Sequence, residues 1–160
     1  MKRDVEKEDV KISKATPGDL PGILSIQKKA FEAEAKLYND VSIPPLLESE
    51  DEIREAFTRE VILKAEQGHV LAGSIRVELR GHVAMLGRLS VDPVFQKQGI
   101  GSSLVRACEN VFPQADCCEL FTGSRSLENI RMYQKIGYNI FEERVLSSQV
   151  TLVYMRKLLR

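Results

Sequence analysis

The sequence is poor in the features that mark metal centres, membranes or disulfide scaffolds. Its three cysteines, Cys108, Cys117 and Cys118, fall in no metal-ligand spacing, and no motif ties either of the two histidines to them, so no metal is expected. Two of the three are adjacent, which argues against an ordinary structural disulfide; they read as reduced, buried thiols rather than as a nucleophile. No stretch approaches the ~20 apolar residues of a membrane span, and the opening segment alternates charges without the apolar run of a signal peptide. No membrane contact and a cytoplasmic location are therefore expected. Nor does one sign of charge dominate: 23 basic side chains face 23 acidic ones, so no long-range attraction to nucleic acid is expected. Repeats, low-complexity tracts and linkers are also missing. The expected organisation is a loose segment over residues 1–9 and one domain over 10–160.

What is present is an ordinary globular composition, 43% hydrophobic and 29% charged, in a chain long enough to bury about two-thirds of its unfolded surface. Residues 10–15 alternate with period two and read as a strand. Thr16-Pro17-Gly18-Asp19 then starts a helix: Thr16 caps it, Pro17 sits where a missing N–H costs nothing, and Asp19 suits the positive end of the dipole. Leu20, Ile23, Leu24, Gln27 and Phe31 follow at helical spacing, carrying the helix to about residue 34. Residues 38–45, with Pro44 and Pro45, read as a loop. A second helix is predicted over 49–58, then three strands in meander order over 61–66, 69–80 and 82–91. In the middle strand Leu71, Gly73, Ile75, Val77 and Leu79 share one face, and Ser74, Arg76, Glu78 and Arg80 the other. Helices are predicted over 99–111 and 126–136, the latter stopping at Gly137, with strands over 117–122, 139–145 and 150–156. The last strands are as compatible with pairing across a homodimer as with internal pairing.

The most informative stretch is Leu89-Ser90-Val91-Asp92-Pro93-Val94-Phe95-Gln96-Lys97-Gln98-Gly99-Ile100-Gly101, a strand passing through a turn into a helix start. The unpaired N–H groups of such a junction form an anion site, the glycines permit close approach, Ser102 and Ser103 add hydroxyls, and Lys97 adds charge. A P-loop is excluded because Ile100-Gly101-Ser102 supplies no lysine, and the dinucleotide fingerprint fails because its third glycine would fall at Leu104.

Gln96-x-x-Gly99-x-Gly101 resembles the Q/R-x-x-G-x-G/A signature of the GNAT superfamily of N-acetyltransferases. The likeness runs from Ala15-Thr16-Pro17-Gly18-Asp19-Leu20 to Tyr133-Gln134-Lys135-Ile136-Gly137-Tyr138, which is similar to the family's Y-x-x-x-G-F/Y element. The resemblance implies an α/β (α+β) acyl-CoA N-acyltransferase fold, with a mixed sheet of six to seven strands splayed between the fourth and fifth and flanked by about four helices. It implies acetyl-CoA as cosubstrate. Pantetheine would pair with the strand at Leu89, Ser90 and Val91, and the pyrophosphate would rest on the turn from Gln96 through Lys97, Gln98, Gly99, Ile100, Gly101, Ser102 and Ser103.

By the same resemblance Tyr133 is the acid that protonates the departing thiolate, a role suited to a phenol with pKa near 10. Ser126 occupies the place of a cofactor-binding asparagine, and Asn129, one turn before Tyr133, stands as its substitute. Where histone-acetylating relatives carry a basic glutamate this chain has Met85, which cannot ionise; a water chain, Glu78, Glu32 or Glu34 are the alternatives, with Glu78 assigned as the base, directly or through water. Acceptor contacts are assigned to Phe31, Glu32 and Tyr38, whose aromatic and acidic character suits a cationic amine. The expected activity is transfer of the acetyl group to a primary amine of a small molecule, peptide or protein by direct attack. A non-catalytic acyl-CoA-binding or protein-interaction module on the same fold is the alternative.

Overall fold

A computed structural model describes residues 9–159; the predicted loose segment lies, but for Asp9, outside the described residues. The chain orders as β1 (Val10–Lys14), α1 (Leu20–Tyr38), α2 (Pro44–Leu47), α3 (Glu50–Arg59), β2 (Val61–Gln67), β3 (Val70–Arg80), β4 (Val83–Val91), α4 (Ile100–Cys108), β5 (Cys117–Gly123), α5 (Leu127–Lys135), β6 (Asn139–Val145) and β7 (Thr151–Leu158). Short 3-10 turns at Pro17–Asp19 and Pro93–Phe95 lead into α1 and towards α4.

The strands form one seven-stranded sheet in the order β1-β2-β3-β4-β5-β7-β6. All neighbours are antiparallel except β4 and β5, whose crossover contains α4. A parallel pair needs a connection long enough to return to the starting end, and α4 supplies it. On one face α4 and α5 close the larger core, built from Leu63, Ile75, Val77, Leu86, Leu104, Val105 and Met155 among others. On the other, α1 and α3 bury Leu20, Ile23, Leu24 and Ile53 against Ile62.

Several predicted boundaries move, each for a physical reason. Helix α1 runs four residues beyond the predicted end because its last residue, Tyr38, is anchored by tertiary hydrogen bonds, and it stops at Asn39 in the left-handed region (φ 50°). The prolines read as loop start the single turn of α2, at positions whose N–H groups a helix never uses, while Ile43 before them is extended (ψ 137°) as a pre-proline residue must be. Leu71 joins the α1 side, not the face of Ile75 and Val77, because a bulge between Leu71 and Gly73 breaks the alternation. Strand β7 is interior, with β5 on one side and β6 on the other, so of the two pairings its sequence allows the structure shows the one within the chain.

Candidate active site

The sheet opens between β4 and β5. Only Val83, Ala84 and Met85 find partners, at Cys117, Cys118 and Glu119; beyond them β5 continues beside β7 alone, from Leu120 opposite Met155 to Gly123 opposite Leu152. Residues Leu86 to Val91 therefore have no strand on their β5 side. The same stretch is bent: the register with β3 slips between Ser74 and Arg76, and the inserted residue region centres on Arg88, whose φ of 54° is rare for a side-chain-bearing residue. Gly73 makes this possible, since a Cβ there would lie 2.7 Å from the Ser90 carbonyl oxygen. Leu89 and Val91 are half-buried and Ser90 is buried, its hydroxyl donating to the Arg88 carbonyl at 3.1 Å.

The predicted anion turn follows directly. Asp92 pins its start by accepting from the Val94 amide at 3.0 Å. The Gln96 side chain turns back, its amide donating to the Val91 carbonyl at 3.3 Å, so this residue staples the turn to the end of β4. Lys97 and Gly99 both have positive φ, 63° and 82°, which carry the chain round into α4. Among the described residues the amides of Gln98, Gly99, Ile100, Gly101 and Ser102 take no backbone carbonyl partner. Ser103 differs from the sequence reading: its amide and its hydroxyl both donate to the Gly99 carbonyl, at 3.1 and 3.0 Å. The two glycines also divide their work. A Cβ on Gly99 would meet nothing, whereas one on Gly101 would lie 3.2 Å from Met132 Sδ. Gly99 serves backbone conformation and Gly101 serves the packing of α4 on α5. Ser102 lines, with Glu128, Arg131, Met132 and Lys135, a surface cavity of about 310 Å³ beside this turn.

Helix α5 brings the second group of residues. Ser126, Asn129 and Tyr133 recur at spacings of three and four and so share a face of the helix. Tyr133 is 6% exposed, and none of the hydrogen bonds among the described residues uses its hydroxyl. Burial, and secondarily the charge of Glu34, pushes its pKa well above that of a free phenol, so it stays protonated. Ser126 and Asn129, expected at the cofactor, both meet Glu34 of α1: the Ser126 hydroxyl donates to Oε2 at 2.7 Å and Asn129 Nδ2 to Oε1 at 3.3 Å. Tyr38, expected at the acceptor, is buried, and extends the same chain. Its hydroxyl lies 2.7 Å from Ser126 Oγ and accepts from the Arg125 amide at 2.9 Å. With Ser126 donating to Glu34, the Tyr38 hydroxyl must donate to Ser126.

On the α1 side of the sheet, Phe31 is half-buried and Glu32 exposed. Glu78 stands opposite Met85, at the level where β4 is still paired with β5, and meets Arg80 at 3.3 Å. Sequence reasoning missed the buried polar cluster beside the bulge. Arg76 grips Glu48 with both terminal nitrogens, one at 2.9 Å, and Gln27 bonds to Glu48, to Arg76 and to the Pro45 carbonyl. Arg88 Nε lies 3.9 Å from the same carboxylate. Burial alone would raise the Glu48 pKa, but hydrogen bonds from Arg76 and Gln27 and the charges of Arg76 and Arg88 outweigh it and hold it below the ordinary value. Arg76 carried no signal because an arginine on the polar face of an alternating strand looks the same whether water or a carboxylate receives it.

The cysteines stand apart from this arrangement. All three are buried and unpaired, and burial pushes the Cys118 thiol up to about 11, the opposite of what a relay nucleophile needs. Among the described residues no cluster of three or more acidic, histidine or cysteine side chains is placed to hold a metal, and no helix is long and apolar enough to cross a membrane.

No curated protein matches this chain in sequence. Solved structures share its fold. The PaiA N-acetyltransferase of Thermoplasma acidophilum, in complex with coenzyme A, superposes with a TM-score of 0.74 at 18% identity, covering 94% of this chain and 99% of the other. The ribosomal-protein-S18-alanine N-acetyltransferase of Escherichia coli gives 0.75 at 19%, covering 94% of each chain. The yncA protein of Salmonella typhimurium with its cofactor acetyl-CoA gives 0.70 at 15%, covering 96% and 95%. The sequence model of the Acetyltransferase (GNAT) family matches residues 22–138, which span the opened sheet, the glycine turn and Tyr133, and the chain belongs to that family.

Proposed function

We propose that this protein transfers the acetyl group of acetyl-CoA to a primary amine by direct attack of the neutral amine on the thioester. One observation carries the reading: the strand edge from Leu86 to Val91 loses its β5 partner at the end where it runs into a turn whose amides, Gln98 to Ser102, take no carbonyl. Donors and a strand edge that the protein's own carbonyls leave free are open to a ligand, and an extended ligand with amides at one end and a diphosphate at the other answers both. The fit is supported by charge as well, since Lys97 stands on the turn and Arg131 and Lys135 line the adjoining cavity.

Acetyl-CoA would bring the activated thioester. The chain's own part is to hold and polarise it: Leu89 to Val91 pair with the pantetheine arm, a backbone N–H of that stretch faces the carbonyl oxygen where charge develops, and the turn's amides take the pyrophosphate. Tyr133 donates its proton to the leaving sulfur. Ser126 and Asn129 position Glu34, and Glu78, beside Arg80 at the level where β4 and β5 are still paired, lies away from the opened strand edge. The acceptor is a primary amine of a small molecule or polypeptide.

Titration calorimetry with acetyl-CoA and a mass-spectrometric screen of an amine panel test this. Micromolar binding and an acetylated product are expected, and Tyr133→Phe should lower kcat about 10²–10⁴-fold without weakening acetyl-CoA binding. Absence of binding refutes the site, and binding without any turnover indicates a non-catalytic acyl-CoA module.

A further inference from the structure

Among the described residues, Glu34 is the carboxylate hydrogen-bonded to the face of α5 that bears Tyr133. Both of its oxygens are gripped from that helix, by Ser126 and by Asn129. Its orientation is fixed from behind by Tyr38, whose own hydroxyl is locked by the Arg125 amide and Ser126. Two residues of α5 hold the carboxylate directly, and Tyr38 backs one of them through Ser126. The arrangement has the form of a positioned base: each oxygen accepts one hydrogen bond and retains a lone pair, since a carboxylate accommodates about four. It remains half-buried, open enough to meet a ligand.

We infer that Glu34 is the general base of the acetyl transfer and that it works as a pair with Tyr133. The inference rests on the activity proposed above. As the amine nitrogen forms its bond to the thioester carbon, the nitrogen gives up a proton to Glu34. The carbon–sulfur bond then breaks with its electron pair on sulfur, and the Tyr133 hydroxyl supplies the proton that makes the thiol. Glu34, now a carboxylic acid, returns its proton to the Tyr133 phenolate, by contact or through one water. Both side chains regain their starting state, and the sum is amine plus thioester giving amide plus thiol. The order is favourable electrostatically. While Glu34 is ionised, its charge opposes ionisation of Tyr133; once it has taken the amine's proton that opposition vanishes, just as Tyr133 must release its own.

Glu34→Gln keeps the shape while removing the basic oxygen: its amide oxygen still accepts from Asn129, and its NH2 donates to Ser126 Oγ once the Ser126 hydroxyl turns to donate to Tyr38, so a brace between α1 and α5 would survive it. A base would not. The expected result, with the amine found for the wild type, is a loss of about 10²–10⁴-fold in kcat, unchanged acetyl-CoA affinity by calorimetry, and partial recovery of Glu34→Ala by added formate. If the wild type acetylates an amine and Glu34→Gln keeps its kcat, or formate restores nothing to a Glu34→Ala protein that still binds acetyl-CoA, this inference is wrong and the activity stands. If the wild type acetylates no amine, the activity fails and this inference with it.

Discussion

Gly123→Ala is the substitution whose effect can be worked out most fully. Gly123 ends β5, and a Cβ placed on it would overlap the Tyr38 hydroxyl and Cζ and lie 2.8 Å from Cε2. The ring cannot yield by a small rotation, because it is 4% exposed and its hydroxyl is held by both Arg125 and Ser126. Overpacking of this kind costs ~1–3 kcal/mol, and losing the two hydrogen bonds costs ~1 kcal/mol each, so destabilisation of about 3–5 kcal/mol is expected. The displacement also frees Ser126 from its anchor, loosening Glu34 at a distance from any ligand. Urea unfolding of the single variants and of Gly123→Ala combined with Tyr38→Ala tests this. In the Tyr38→Ala background, where the obstructing ring is gone, adding Gly123→Ala should cost under ~1 kcal/mol. A Gly123→Ala cost below ~1 kcal/mol, or one undiminished in that background, refutes the account.

The two glycines of the turn should respond differently. Gly99→Ala forces a Cβ into the left-handed region at a cost of ~1–2 kcal/mol and should weaken acetyl-CoA binding by distorting the turn, whereas Gly101→Ala has only the flexible tip of Met132 to move and should bind normally by calorimetry; equal losses would show that the glycine assignments are wrong. Acid stability should report Glu48. Its folded pKa is depressed, so the stability contributed by its pairing with Arg76 is present above the unfolded value, about 4.3, and is lost as pH falls through the folded one. Wild type should therefore lose more stability than Glu48→Gln as pH drops below ~4 in urea titrations, and parallel losses would contradict this.

Much of the sheet was legible because its signals are local. The alternation of β3 and the stop of α5 at Gly137, with φ 105°, each depend on neighbours within a few residues. The errors fall where distant contacts override local preference. Tyr38 prolongs α1 through bonds to a segment almost ninety residues later, and Pro44-Pro45, read as helix breakers, become a helix start once the Pro45 carbonyl has Gln27 to receive. Leu71 changed faces because one inserted residue inverts the side-chain parity of everything before it.

The site divides along the same line. That the turn from Gln96 to Gly101 leaves backbone amides without carbonyl partners was readable from residue order, since amides at a helix start are a property of a short segment; the proton-donor role proposed for Tyr133 came from the resemblance to the GNAT superfamily. Which carboxylate stands beside Tyr133 was not readable. Glu32, Glu34 and Glu78 are chemically alike in the sequence, and only the packing of α1 across the start of α5 separates Glu34, gripped by Ser126 and Asn129, from an exposed Glu32 and a Glu78 tied to Arg80. Local chemistry sets what a residue is able to do, and the neighbours that the fold gathers from elsewhere in the chain set whether it does it.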